Sequence, residues 1–142
     1  MKEETIQKMA IIIKNAMIVN QDGVAEGDIV MADGKFAQVG GKADVSAADE
    51  VIDAAGLHAM PGLTDIHVHL RDPGQTHKED ILSGCAAAAH GGVTSLVCMP
   101  NTVPAADSVE VIEYIKEKAG QAGVRVIQRR RGPRGFWGGG GA

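Results

Sequence analysis

The sequence predicts an α/β fold in which a β-rich segment is followed by parallel βα units. Residues 1–57 hold short β-branched runs that are separated by turn signals. After residue 58, apolar strand patterns alternate with helical patterns, and this alternation is typical of a parallel sheet. Aliphatic side chains must form the core, because 44% of the 142 residues are hydrophobic but only 3% are aromatic.

The β-rich segment begins with the run AIIIKNAMIV at residues 10–19, which is followed by the turn signal Asp22-Gly23. Two further strands are predicted on either side of Asp33-Gly34, a dipeptide that suits a tight hairpin turn with positive φ angles. The stretch EVIDAAG is another strand candidate. These short strands are compatible with a small sandwich and with an open sheet.

The first βα unit begins with the strand pattern LTDIHVHL at residues 63–70, after which a loop is expected. A capping box, with Thr76 as N-cap and Glu79 reaching back, is predicted to start an Ala-rich helix. Gly91-Gly92 is expected to end that helix.

The second βα unit begins with VTSLVCMP at residues 93–100, a nearly continuous apolar run of the kind that forms buried parallel strands. Asp107 or Ser108 can cap the next helix, whose apolar residues recur on one face. VRVI at residues 124–127 opens a third strand. The pattern therefore amounts to strand, helix, strand, helix and strand.

Charge is distributed unevenly along the chain. The formal net charge is −4, yet residues 129–134 hold four arginines and no acid follows Gln128. The acidic body does not favour nucleic-acid binding. Two isolated cysteines predict a reducing, cytoplasmic environment, because disulfide-built secreted domains are dense in cysteine. Neither a signal peptide nor a membrane span is expected, since the first residues are acidic and their apolar run is short.

The segment DIHVHLRDP, which begins at Asp65, carries the strongest functional signal. Residues two apart on a strand share a face, so Asp65, His67, His69 and Arg71 are predicted to line one side. Two imidazoles at this spacing can bind one divalent metal ion, Asp65 could orient an imidazole, and a guanidinium suits a carboxylate. An exposed polar strand face is the alternative, and Asp72 is expected to be a solvated loop carboxylate.

These residues resemble a known family. MPGLTDIHVHLRDPG is similar to the first barrel strand of the amidohydrolase superfamily and, within its cyclic amidase branch, of dihydroorotase. The stretch from THKEDILSG to MPNTVPAAD continues the resemblance, which is strongest over residues 59–104. Arg71 combined with Asn101 is more typical of dihydroorotases than of allantoinases and hydantoinases.

The resemblance implies the N-terminal part of a TIM-like (β/α)8 metal-dependent hydrolase barrel, left incomplete, after a small β-sandwich-type segment. Residues 1–57 would form part of a composite β-sandwich, and residues 58–127 the first two and a half βα units of the barrel. Residues 128–142 would be an aberrant, disordered Arg/Gly-rich tail. An out-of-frame or artificial end is favoured over a genuine RNA-binding segment, because the composition changes within a strand.

For the site, the resemblance implies that His67 and His69 bind Zn²⁺, in a centre that is binuclear in the family. It implies that Arg71 and Asn101 hold the carboxylate of dihydroorotate or N-carbamoyl-L-aspartate, which the family interconverts in pyrimidine biosynthesis. The remaining metal ligands and the catalytic aspartate of the family lie on later strands. No catalytic residue is therefore assigned, and this chain alone is expected to be inactive.

Two other functions stay open. One is a related cyclic amidase of the allantoinase or hydantoinase type. The other is a non-catalytic, dihydroorotase-like partner of another pyrimidine enzyme, against which the joint presence of His67, His69 and Arg71 weighs. The sequence leaves open whether the parent protein is a homo-oligomer or joins such an enzyme, and no membrane partner is expected.

Overall fold

A computed structural model describes residues 10–46 and 48–130 of the chain. The chain divides into two compact units with the boundary after Pro61. From residue 131 onward, the predicted Arg/Gly-rich tail lies outside the described residues. In chain order the elements are β1 (Ala10–Asn20), β2 (Gly23–Ala32), β3 (Lys35–Val39), β4 (Glu50–Asp53), β5 (His58–Ala59), β6 (Leu63–Val68), α1 (Ile81–His90), β7 (Val93–Cys98), α2 (Val109–Ala119) and β8 (Arg125–Gln128).

The first unit is a mixed sheet with the strand order β3-β2-β1-β4, and β5 also pairs with β1. β1, β2 and β3 are antiparallel neighbours, whereas β4 and β5 run parallel to β1. The predicted hairpin between β2 and β3 is confirmed, with φ angles of 55° at Asp33 and 70° at Gly34. The described strands of this unit thus form one open sheet.

A buried carboxylate stabilises an irregularity in the middle of β1. The register of β1 against β2 shifts between Ile13 and Ala16, and Asn15 has a φ of 58°. The Asp28 carboxylate accepts the backbone N–H of Asn15 at 2.9 Å and that of Ala43 at 2.8 Å. These two hydrogen bonds hold the pKa of Asp28 below its ordinary value, because they favour the charged carboxylate.

The second unit contains the predicted parallel βα arrangement. β6, β7 and β8 form a parallel sheet in that order, and α1 and α2 connect the strands. Apolar residues of both helices and of β7 share one core, whose buried members are Leu70, Ile81, Cys85, Leu96, Cys98, Ala106, Val111, Ile115 and Val124. The described residues are α/β as predicted, and closure of a barrel remains a prediction.

The N-cap predicted for α1 is wrong, whereas one of the two predicted for α2 is confirmed. α1 begins at Ile81 and Asp80 caps it, accepting the backbone N–H of Leu82 at 2.8 Å and that of Ser83 at 2.9 Å. The predicted Thr76 cap lies in a segment of turns, so the helix begins four residues later than the pattern suggests. Ser108 caps α2. Among the described residues, no helix is long and apolar enough to cross a membrane.

Candidate metal and substrate site

The candidate site lies where β6 and β7 end. Parallel neighbours end at the same edge of a sheet, and in α/β enzymes this edge carries the functional side chains. The Met99 N–H donates to the Val68 carbonyl at 2.9 Å, so the two strand ends are bonded to each other. His69 follows β6 directly, and Asn101 follows β7 after two residues.

The prediction that Asp65, His67, His69 and Arg71 line one side of a regular strand is wrong, because β6 contains a bulge and ends at Val68. Asp65 pairs with Leu96 and Val68 with Cys98, so β6 uses one more residue than β7 over this interval. The Asp65 carboxylate accepts the backbone N–H of His67 at 2.9 Å instead of orienting an imidazole. Bulges re-aim side chains and are frequent beside active sites.

Despite the bulge, both predicted metal ligands lie together. The ring centroids of His67 and His69 are 5.3 Å apart, with an angle of 63° between the ring planes. The His69 Nδ1 lies 2.7 Å from the Asn101 Oδ1, a hydrogen bond that joins the end of β6 to the loop after β7. The structure therefore brings three of the four predicted site residues into contact.

The fourth predicted site residue, Arg71, lies beyond the strand in a left-handed conformation with a φ of 61°. Its carbonyl accepts the Gln75 N–H at 2.9 Å, which closes the turn that follows. Within the described part of the chain, no hydrogen bond or ion pair involves its guanidinium. A left-handed conformation costs a non-glycine residue about 1–2 kcal/mol, and such strain is concentrated at functional sites.

The loops after β6 and β7 are packed closely against each other. The Val103 N–H donates to the Pro73 carbonyl at 3.0 Å. Gly74 has a φ of 93°, and a Cβ at this position would overlap the Val103 carbonyl oxygen. Glycine is therefore required here for its conformation and for its size. The two loops that carry Arg71 and Asn101 thus support one another.

The expectation that Asp72 is solvated is wrong. Asp72 is buried, and it fastens the loop that carries Arg71 to α2. Asp72 is 2% exposed and accepts hydrogen bonds from the Tyr114 hydroxyl at 2.8 Å and the Lys118 ammonium at 2.7 Å. The hydrogen bond to Asp72 raises the pKa of Lys118 above its ordinary value. Sequence reasoning missed this anchor, although Tyr114 and Lys118 stand four residues apart on one face of α2.

Cys98, at the end of β7, belongs to the core and is not placed as a ligand. Its side chain is 3% exposed. Burial raises the pKa of the Cys98 thiol to about 12. A thiol in such an apolar position is inert, because the thiolate is the form that binds metals.

The two imidazoles fit part of a zinc site. Neutral imidazole nitrogens are common zinc ligands, and ligating histidines typically donate their other ring N–H to a fixed acceptor. His69 has such an acceptor in Asn101. Among the described residues, no group of three His, Cys, Asp or Glu side chains could hold a metal ion. Two imidazoles are fewer protein ligands than a zinc site usually has, so His67 and His69 would need further ligands to hold the ion.

Comparison with known proteins finds similarity to dihydroorotases, both with a family model and with individual sequences. A family model described as dihydro-orotase-like matches residues 56–130. A dihydroorotase of Syntrophotalea carbinolica is 51% identical over 118 residues, which cover 81% of this chain and 27% of the relative. A dihydroorotase of Aquifex aeolicus is 46% identical over 118 residues, covering 82% of this chain and 28% of the relative.

A solved structure is also similar. The L-hydantoinase (dihydropyrimidinase) from Arthrobacter aurescens superposes with a TM-score of 0.76 at 35% sequence identity. The match covers 88% of this chain and 28% of that chain. The chain thus spans little more than a quarter of the length of these relatives.

Proposed function

The chain belongs to the dihydro-orotase-like family, and we propose that it carries two metal ligands and the substrate-carboxylate site of a dihydroorotase. The activity is the reversible hydrolysis of the cyclic amide of dihydroorotate to N-carbamoyl-L-aspartate, a cytoplasmic step of pyrimidine biosynthesis. The observation that supports it best is the meeting of His67, His69 and Asn101 at the ends of two parallel strands. The barrel part of this enzyme would occupy residues 58–127, after a β-rich part at residues 1–57.

His67 and His69 would hold Zn²⁺ through ring nitrogens. When bound, the metal supplies Lewis-acid polarisation of the amide carbonyl and an activated water. A catalytic zinc site usually has three protein ligands and an open position, so two imidazoles do not complete one. We propose that turnover requires further ligands. The 142-residue chain alone would therefore have no dihydroorotase activity.

Arg71 and Asn101 would bind the substrate carboxylate. A guanidinium offers paired donors that match the two oxygens of a carboxylate, and an amide nitrogen offers two more N–H groups. Among the residues that the structure describes, the Arg71 guanidinium has no hydrogen bond or ion pair, and its backbone is strained. Both features would be expected of a preformed binding site for an external anion. Binding the substrate through a group remote from the cleaved bond serves to orient that bond.

A hydantoinase-type cyclic amidase is the second candidate, because the similar solved structure is a hydantoinase. The two reactions use the same metal chemistry on cyclic amides, but hydantoin lacks a ring carboxylate. Arg71 is therefore the residue that favours dihydroorotate over hydantoin.

The metal part of the proposal is tested by measuring zinc affinity, through calorimetric titration of the 142-residue chain with zinc. Changing His67→Ala or His69→Ala should weaken zinc binding at least tenfold, because each removes one of two imidazoles. His90→Ala is the matched control, since His90 is an exposed histidine at the end of α1. Equal affinities of all three variants and the unchanged chain would contradict the assignment.

The substrate part is tested in a chimera in which residues 10–126 replace the corresponding segment of the Aquifex aeolicus relative. The chimera should hydrolyse dihydroorotate, and Arg71→Ala should lower kcat/KM by about 30-fold to 1,000-fold, the effect of removing a charged hydrogen-bond partner. Arg71→Lys should lose less, because it keeps the charge but not the paired donors. A chimera that prefers hydantoin, with activity insensitive to Arg71→Ala, would favour the second candidate.

A further inference from the structure

We propose that Asn101 is a positioning residue for His69 as well as a substrate-binding residue. Its side-chain oxygen would hold His69 in the tautomer with the proton on Nδ1, which leaves the Nε2 lone pair free for a metal ion. The functional meaning of this orientation rests on the proposed zinc site. The orientation itself rests only on the contact between the Asn101 and His69 side chains. One amide would then link the substrate-carboxylate site to a metal ligand.

The tautomer follows from the chemistry of the two contacting atoms. An amide oxygen can only accept a hydrogen bond, so the His69 Nδ1 at 2.7 Å must carry the proton. A neutral imidazole has one proton, and Nε2 is therefore the unprotonated nitrogen. Free imidazole side chains prefer the proton on Nε2, so Asn101 would reverse the intrinsic preference.

Asn101 is suited to this role because the backbone around it is fixed on both sides. Before it, the Met99 N–H donates to the Val68 carbonyl at 2.9 Å. After it, the buried Thr102 hydroxyl donates to the Pro104 carbonyl at 2.8 Å, and the Val103 N–H donates to Pro73 at 3.0 Å. A side chain on such a rigid segment can orient an imidazole.

The neighbouring carboxylate does not perform this task for His69. The Asp65 side chain accepts the backbone N–H of His67 at 2.9 Å, within its own strand. Among the described residues, the side chain that hydrogen-bonds to the His69 ring is the Asn101 amide. Metal-ligating histidines usually donate their other ring N–H to a carboxylate or a backbone carbonyl. For His69 the acceptor is the side-chain amide oxygen of Asn101.

The two roles of Asn101 require the same orientation of its amide. A substrate carboxylate needs donors, so it must meet the Nδ2 side of the amide. The Oδ1 side then remains for His69, which is the side that the structure directs at the ring. With the amide reversed, Oδ1 would repel the carboxylate and Nδ2 would offer no acceptor to a protonated Nδ1. Substrate binding and ligand orientation therefore reinforce each other.

The tautomer can be measured on the metal-free 142-residue chain labelled with ¹⁵N. Long-range ¹H–¹⁵N correlation spectra at about pH 8.5, where a free imidazole is neutral, distinguish the two ring nitrogens. The His69 signals are assigned by their absence in His69→Gln. In the unchanged chain, Nδ1 should be the protonated nitrogen of His69. A tautomer mixture like that of free imidazole would overturn the inference.

Two substitutions separate an orienting oxygen from a general structural effect. Asn101→Ala removes the acceptor and should return His69 to the form with the proton on Nε2. Asn101→Asp keeps an oxygen in the same place and should retain the proton on Nδ1, although it loses the donors for a substrate carboxylate. An Nδ1-protonated His69 in Asn101→Ala would also overturn the proposal.

Zinc titration then links the contact to the proposed function. Asn101→Ala should weaken zinc binding about 10-fold to 100-fold, the usual effect of removing a partner behind a ligand. Asn20→Ala, a change of an exposed asparagine in the other unit, is the matched control and should leave the affinity unchanged. Unchanged zinc affinity in Asn101→Ala overturns the positioning role but leaves the proposed function intact. An Nδ1-protonated His69 in a chain that binds no zinc supports the contact and contradicts the metal site instead.

Discussion

Asp28 in the first unit and Asp72 in the second are both buried, 0% and 2% exposed, yet their partners differ in kind. Asp28 accepts two backbone N–H groups, from Asn15 and Ala43. Asp72 accepts two side-chain donors, the Tyr114 hydroxyl and the Lys118 ammonium. One carboxylate thus stabilises a bulge through the main chain, and the other fastens a loop to a helix through side chains.

The difference determines how each carboxylate can be disturbed. Every residue except proline supplies a backbone N–H, so the two hydrogen bonds to Asp28 do not depend on the side chains at positions 15 and 43. The nearby Lys42 ammonium is 4.0 Å away, and its side chain is 68% exposed. The Asp72 site depends on the identity of two residues of α2, and through Asp72 those residues support the loop that carries Arg71. A substitution on α2 can therefore affect the candidate site without touching it.

The largest effect is expected from Asp72→Ala. It leaves the Lys118 ammonium and the Tyr114 hydroxyl without their shared acceptor, and it should lower the free energy of unfolding of the second unit by about 3 kcal/mol. NMR signals of α2 amides during urea titration report this unit directly. Glu117→Ala, an exposed change on the same helix, should stay within about 0.5 kcal/mol. Similar losses in the two variants would show that Asp72 is not an anchor.

A smaller loss is expected from Lys118→Met, which keeps most of the side-chain volume but removes the charge. Breaking a fully buried ion pair costs about 3–5 kcal/mol, but the Lys118 side chain is 32% exposed, so water screens the interaction. We expect a loss of about 2 kcal/mol, measured with the same α2 signals. An equally stable Lys118→Met chain would mean that the Tyr114 hydroxyl alone satisfies Asp72.

The two sites should respond at opposite ends of the pH scale. The pKa of Asp28 is lowered from 3.8, so its contribution is complete above that value and is lost as pH falls through the folded pKa. The pKa of Lys118 is raised from 10.5, so its contribution is complete below that value and is lost as pH rises toward the folded pKa.

Difference measurements isolate these contributions from those of other groups. Compared with the unchanged chain, Asp28→Asn should take up fewer protons on unfolding in the acid range, by up to one. Lys118→Met should release fewer protons on unfolding than the unchanged chain does in the alkaline range. The free energy of unfolding measured as a function of pH gives both numbers. Parallel curves for a variant and the unchanged chain would refute the corresponding assignment.

The smallest effect is expected from Lys42→Met, the counterpart of Lys118→Met beside the other buried aspartate. Exposed ion pairs contribute about 0–1 kcal/mol, and the backbone donors to Asp28 are unaffected. We expect a change below about 0.5 kcal/mol, followed through amide signals of β1 and β2. A loss as large as that of Lys118→Met would abolish the distinction between main-chain and side-chain satisfaction.

Local sequence patterns determined most of the secondary structure of this protein and the order of its elements. Hydrophobic periodicity and turn chemistry predicted every described strand except β5, the Asp33-Gly34 hairpin, a cap for α2 at Asp107 or Ser108, and the parallel βα order. These features depend on interactions between residues close in the chain, which the sequence displays directly. Residue type and spacing also singled out His67, His69 and Arg71 as site candidates, whereas Asn101 was chosen from the resemblance to dihydroorotases.

Tertiary structure alone decided how these candidates are arranged. The bulge in β6 is a feature of its register against β7, which the alternation in DIHVHLRDP did not predict. Asp80 and not Thr76 is the N-cap, and Thr76 lies in the turns that precede the helix. Asp72 is buried because Tyr114 and Lys118, more than forty residues later, fold back onto it. Asn101 meets His69 across 32 residues for the same reason: parallel strands bring together ends that are distant in sequence, and packing selects the partners.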